Sequence, residues 1–253
     1  MNKTSVLTTR VRNEFKCSWA IAKKDMQVYY LKPSVLMFGI MFPVFMFLSF
    51  AVGRNVPPAS LIPGLMAITI LFSSSSIGPA VIPTERRTKT FERLISAPIS
   101  FYTILVGKTL GGLIFSAAIA ALPLVIGLAW LGTSIADPVA LVIGVGLSSF
   151  SFSAMGIMFA SYPTENPGDV MMMLNFVRLP LLFVSGVFIP IEAMPDWSRV
   201  VAFVSPLTYS NDLIRYGLEG SSYSSLMVDT ALLVFSGALF LAVGMKLHER
   251  YRE

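Results

Sequence analysis

An all-α membrane protein with six transmembrane helices is the fold class this sequence predicts, and three observations lead there. Of 253 residues, 55% are hydrophobic and only 13% charged, about half the charged share of an average soluble domain. The mean hydropathy of +0.72 leaves too little polar surface for a water-soluble globule. The apolar residues also fall in blocks of about twenty, the length that crosses a bilayer core as a helix. Disorder is excluded, because a disordered chain combines low hydrophobicity with high net charge. One cysteine, Cys17, allows no internal disulfide, and one histidine, His248, leaves no Cys/His cluster for a metal.

The whole chain, 1–253, reads as one domain: an N-terminal cytoplasmic or interfacial segment 1–33, a bundle 34–247 and a tail 248–253. Residues 13–32 lack the apolar core and cleavage site of a signal peptide. Phe15, Trp19, Ala22, Met26 and Tyr30 recur there at helical spacing, with Lys16, Lys23 and Asp25 elsewhere on the wheel. This pattern predicts an amphipathic helix lying in the membrane interface, with a soluble basic tail as the alternative. Pro33 marks the turn into the first span.

Six spans follow, at about 34–53, 59–82, 103–131, 138–160, 170–190 and 227–247. The breaks carry turn chemistry: Arg54 to Pro58, Asp137-Pro138, and Tyr162 to Asp169 with its two prolines. Fifteen of the nineteen basic residues lie in the N-terminal segment, around 86–108 and at the C-terminus. The positive-inside rule therefore predicts both termini in the cytoplasm, which an even span number allows. The net charge of +5 is explained by orientation, without nucleic acid.

Between spans two and three, residues 84–98 are too charged to enter lipid. Phe91, Leu94 and Ile95 nevertheless form an i, i+3, i+4 apolar stripe on a short helix stopped by Pro98. Such a helix suits docking into a groove of a partner protein or lying on headgroups. Segment 191–226, broken by Pro195, Pro206 and Gly217, cannot hold one span. Asp196 is expected to cap a short helix carrying Val200, Phe203 and Val204, and Ser205-Pro206 to start a second.

At these two segments the chain resembles the ABC type-2 transporter permeases. Thr90-Phe91-Glu92-Arg93-Leu94-Ile95 with Pro98-Ile99-Ser100 is similar to that family's first cytoplasmic loop. Ser185-Gly186 through Pro190, Met194-Pro195-Asp196-Trp197 and Pro206-Leu207-Thr208-Tyr209 are similar to its signature after the fifth span. Arg87 and Lys89 stand where the family often has a second acid and a glycine.

The resemblance implies a permease subunit of an ATP-binding cassette exporter in the plasma membrane, with two copies, a homodimer, forming the pathway. A separate ATPase subunit would bind ATP and Mg, leaving this chain with no cofactor and no catalysis of its own. Glu85, Arg86, Arg87, Phe91, Glu92, Leu94, Ile95 and Pro98 would form the ATPase-coupling helix. Gly186, Pro190, Pro195, Trp197, Pro206 and Tyr209 would belong to external re-entrant helices that gate the pathway. The substrate class implied is a drug, lipid or polysaccharide.

Four further readings bear on function. Gly107-Lys108-Thr109 echoes a P-loop ending, but Tyr102 stands where the first glycine is required. Gly107 and Gly111 are instead expected to pack a helix closely, with Lys108 snorkelling to headgroups. Arg178 lies inside span five, about 12 Å above Val170 by helical rise. It should face protein or water, either lining the pathway toward an anionic group or reaching down to Glu165, Asp169 or phospholipid. Serines 73–76 are expected to make interhelical hydrogen bonds. A secondary transporter or an intramembrane enzyme is the alternative function. The spans, however, have no central carboxylate for ion coupling and no catalytic Ser/His or paired-Asp set.

Overall fold

Prolines and glycines punctuate a chain otherwise rich in helix formers, and the helices start and stop around them. The computed structural model describes residues 3–30, 37, 41, 43–45, 48, 58–189, 191 and 194–251. Among these residues the secondary structure is entirely helical. The expected first span, 34–53, falls almost wholly outside the described residues, as do Arg54 and Pro190.

Helix α1, Lys3–Asp25, runs into a π-helical turn, Met26–Tyr30. After a 3₁₀ turn at Pro58–Leu61 come α2, Ile62–Arg87, and the short α3, Thr90–Ile95. Helices α4, Phe101–Trp130, α5, Pro138–Phe159, and α6, Pro167–Val184, follow. The chain closes with α7, Asp196–Val204, α8, Pro206–Glu219, and α9, Leu226–Arg250. Among the described residues five helices are long and apolar enough to cross a membrane: Ala59–Arg87, Phe101–Trp130, Pro138–Phe159, Pro167–Val184 and Leu226–Arg250.

Local chemistry sets several boundaries. The Asp137 carboxylate accepts from the amides of Val139 and Ala140 at 2.9 and 3.1 Å, and Pro138 opens α5 where no amide donor is needed. Asn166 caps α6 through the Gly168 amide at 3.0 Å. Gly220, at φ 72°, ends α8 in the left-handed conformation that glycine adopts without Cβ strain.

Helix α2 is the centre of the bundle, buried along nearly its whole length and packed by α4, α5, α6 and α8. Its contact with α5 is backbone to backbone. Pro79 has no amide to offer the Ser75 carbonyl four residues earlier. A Cβ on Gly156 of α5 would sit 2.3 Å from that oxygen. Only glycine lets the two helices approach so closely. Exposed apolar side chains such as Val125, Val142, Phe176 and Phe235 clothe the outside.

The structure revises several expectations. Helix α2 passes through Pro83 to Arg87, so the charged residues 85–87 end a long helix and do not begin the short one. Serines 73–76 bond within their own helix: Ser73 to Thr69 O at 2.6 Å, Ser74 to Ile70 O at 2.7 Å, Ser76 to Phe72 O at 2.6 Å, and Ser75 to Leu71 O. A buried hydroxyl reaches the carbonyl one turn back without any partner helix. Interhelical serine bonds occur elsewhere, from Ser153 to Thr109 O at 3.0 Å and between Ser151 and Ser236 at 2.9 Å. Gly217 does not interrupt α8. It is a contact point, where a Cβ would meet the Leu141 backbone at 2.7 Å. Pro195, not Asp196, occupies the N-cap of α7.

Candidate functional site

The sequence turns from α2 into α3 over two residues. Lys89 sits at φ 57°, the one non-glycine positive φ among the described residues, and this sharp turn lays α3 back against the bundle. The Thr90 hydroxyl donates to the Glu85 carbonyl at 3.3 Å and secures the turn. Phe91 is buried among Ile21, Ile82, Ile104 and Leu105, with Leu94 and Ile95 packed on the same cluster. The apolar stripe thus fastens α3 to its own chain. Arg87, Lys89, Glu92 and Arg93 are left exposed on the outer face, and Pro98 is exposed just beyond.

Three other segments meet α3. Arg86 stacks 5.7 Å from the Phe91 ring centre and donates to the carbonyls of Tyr162 and, at 3.4 Å, Ser161. Lys89 lies 3.2 Å from Glu92 and 3.8 Å from Glu165. His248, near the end of α9, is buried beside Phe91 and Phe101, its Nε2 3.0 Å from the Ile157 carbonyl. A cleft of about 300 Å³ opens between α3, Pro163 to Glu165 and Tyr251. Segments 84–98 and 161–166 and the end of α9 therefore share one end of the bundle, as the charge sorting requires.

Beneath this surface lies a buried charge network that joins α1, α2 and α4. Lys108 is 1% exposed, and its ammonium donates to Glu85 at 2.6 Å and to Asp25 at 3.1 Å. Lys24 pairs with the other oxygen of Glu85 and lies 2.6 Å from Asp25. Burial alone would lower the Lys24 pKa, but Asp25 and then Glu85 outweigh it and raise the value above the ordinary lysine range. Two acids and two bases balance, as burial demands.

Lys108 therefore does not snorkel to headgroups: two carboxylates inside the protein hold it. Gly107 and Gly111 do pack a helix closely, and that helix is α1, since a Cβ on Gly107 would meet the Ser18 carbonyl at 2.7 Å. The expected apolar face of the N-terminal helix divides, with Ala22 and Tyr30 buried in the bundle and Phe15 and Trp19 exposed. Asp25 was the residue sequence reasoning missed. Its signal was Lys108 itself, an ammonium within an apolar helix that requires a counter-ion.

At the opposite end, Gly186 turns the chain at φ 80° after α6, and Pro195 starts α7. Trp197 is exposed with Val200, Phe203 and Val204, giving α7 an outward apolar face. Pro206 opens α8, and Tyr209 is buried with Leu213 and Leu233. The Tyr209 hydroxyl donates to the Phe203 carbonyl and the Thr208 hydroxyl to Ala202 O at 2.6 Å, locking the corner between α7 and α8. Burial, then the nearby Asp229 charge, raises the Tyr209 pKa. Tyr209 thus pins a corner, whereas Trp197 is free to sit at an interface.

Arg178 stands apart from both ends. It is 2% exposed on α6, with its guanidinium 5.2 Å from the Phe72 ring centre and Nη1 3.5 Å from the Asn175 side-chain oxygen. Nε and Nη2 are buried without a hydrogen-bond partner among the described residues. The residue faces protein, but it forms no ion pair with Glu165 or Asp169 among the described residues. Asp169 instead takes bonds from Thr164 and Asn166 at 2.9 and 2.8 Å. An arginine within a span costs about 2.5–3.5 kcal/mol on insertion scales.

Comparison with known proteins adds independent evidence. The sequence matches the ABC-2 type transporter family over residues 17–218. It is 21% identical over 192 residues to the inner membrane transport permease YadH of Escherichia coli K12, covering 76% of this chain and 75% of that one. The daunorubicin resistance ABC transporter permease protein DrrB1 of Streptomyces coeruleorubidus is 26% identical over 197 residues, with 74% and 67% covered. The probable multidrug ABC transporter permease YbhR of Escherichia coli K12 is 23% identical over 159 residues, with 61% and 42% covered. A family match across most of the chain, on helices built to cross a membrane, shows that this protein belongs to the ABC-2 type transporter family, as a membrane-embedded permease component.

Proposed function

We propose that this chain is the pathway-forming permease of an ATP-driven exporter, working as a homodimer in the plasma membrane with a separate ATP-binding cassette subunit under each copy. ATP and Mg bind on that subunit, and this chain carries no chemistry. Six spans, the first at 34–53, place both termini in the cytoplasm, with α1 along the inner interface. The observation that carries the reading is α3: its apolar stripe is consumed by its own bundle, so its free face is charged and presented outward. A partner reading that face would do so through Arg87, Lys89, Glu92 and Arg93.

Closure of the ATPase pair on ATP pushes α3. Phe91 passes the motion to α4, and the Glu85–Lys108–Asp25 network passes it to α1. The pathway then switches outward as a rigid-body rearrangement. Gly186, Pro190, Pro195, Trp197, Pro206 and Tyr209 belong to the external gate, and Arg178 lies toward the pathway. Drugs, lipids and polysaccharides are the candidate substrates, with drugs supported by the names of two relatives, DrrB1 and YbhR.

Glu92→Arg tests the docking face. Among the described residues Glu92 pairs only with exposed Lys89, so the change should cost under about 1 kcal/mol of stability. Purified with its ATPase, the variant should fold normally but lose substrate-stimulated hydrolysis and transport. Transport and ATPase binding at the unmodified level would remove the docking role.

A further inference from the structure

Arg178 has no acid within its own chain to answer its charge among the described residues, and its partners there are weak. Asn175 sits at the 3.5 Å limit of a hydrogen bond, and Phe72 offers a ring face. The two unpartnered nitrogens, Nε and Nη2, form the side edge of the guanidinium. Parallel N–H bonds on that edge match two oxygens of one phosphate, sulfate or carboxylate. A buried cation in this state bears a desolvation cost that a bound anion would offset.

The same helix supplies an apolar seat that Asn175 links to Arg178. Met171, Met172, Phe176 and Leu179 line an open groove of about 540 Å³ along α6, and Asn175 lines it too. Asn175 thus borders the groove and accepts from Nη1 of Arg178, which leaves the Nε and Nη2 edge for an incoming anion. Head and tail of one ligand fit the two parts: an acidic head on Arg178 and a hydrocarbon tail on the methionines and Phe176.

We infer that α6 carries a binding site for an anionic amphiphile, a molecule with an apolar tail and a phosphate-like or carboxylate head, and that such molecules are the substrate class of this permease. The inference rests on the placement of Arg178 toward the pathway. Amphiphile binding closes the charge deficit at Arg178, which couples occupancy to the packing of α6 against Phe72 of α2.

The test uses the full chain in nanodiscs of zwitterionic phosphatidylcholine, with radiolabelled monododecyl phosphate as probe and empty nanodiscs subtracted. Binding should fall at least tenfold in Arg178→Gln and be partly retained in Arg178→Lys, which keeps the charge. Phe176→Ser, at an exposed position, should also weaken binding several-fold without disturbing the fold. Unlabelled dodecyltrimethylammonium and inorganic phosphate should not displace the probe, the first lacking the head and the second the tail. Equal binding by Arg178→Gln and wild type, or displacement by inorganic phosphate at matched concentration, overturns the proposal. So does an inter-copy disulfide in Phe176→Cys with no probe binding, which would show a second copy covering the groove. If these arms fail while Glu92→Arg still uncouples the complex, the substrate class is wrong and the permease reading stands.

Discussion

Lys108 shows what a charge requires once an apolar helix takes it inside. Its ammonium is shared by Glu85 and Asp25, residues on two other helices, so its removal leaves two carboxylates with Lys24 as their one cation among the described residues. Breaking a buried pair from one side is destabilising by about 3–5 kcal/mol. Lys108→Met should therefore lower the thermal midpoint of the detergent-solubilised protein strongly. Adding Asp25→Asn to it should cost less than the two single changes summed, the mark of residues acting as one network. Tyr209→Phe is the milder counterpart, losing one hydroxyl bond to the Phe203 carbonyl worth about 0.5–1.5 kcal/mol. Periodicity alone identified neither partner. It assigns Lys108 to a helix end and Asp25 to a polar face, because the contact between them depends on how α1 crosses α4.

Helices are the scale at which the sequence was most legible. Five described helices begin within about three residues of the expected spans, because proline and capping chemistry is local. Their ends were less legible. Helix α2 was expected to stop before Pro83 but continues, since prolines inside a buried helix lose one backbone bond and the surrounding contacts hold the rest. The close approach of α2 and α5 at Ser75 and Gly156 was invisible, because one glycine in a string of small residues looks like any other. Gly156→Leu should separate the two helices and cost about 1–3 kcal/mol or more, read as loss of monodisperse protein on size exclusion, while Gly146→Ala, at an open position, should be silent. For α3 the amphipathic stripe was legible and its direction was not. Periodicity marks an apolar face without saying whether the partner is another molecule or the same chain.

Across the molecule, the charged residues concentrate at one end, and the structure brings α3, the 161–166 loop and the close of α9 together there. A second group of charges, including Asp196, Arg199, Asp212, Arg215, Glu219 and Asp229, lies toward the other end, and the outside of the bundle between them is apolar. The candidate site is thus two layers deep, with a charged outer face on α3 and a neutralised charge network beneath that ties this face to α1 and α4. The central claim is that this outer face receives the ATPase. Photo-crosslinking tests it most directly, with a photoreactive residue at Arg93 on α3 or at Trp197 on α7, both exposed and at opposite ends of the bundle. In complexes purified with the ATP-binding cassette subunit, Arg93 should crosslink to that subunit and Trp197 should not. Crosslinking from Trp197, or none from Arg93 in an intact complex, would contradict the account.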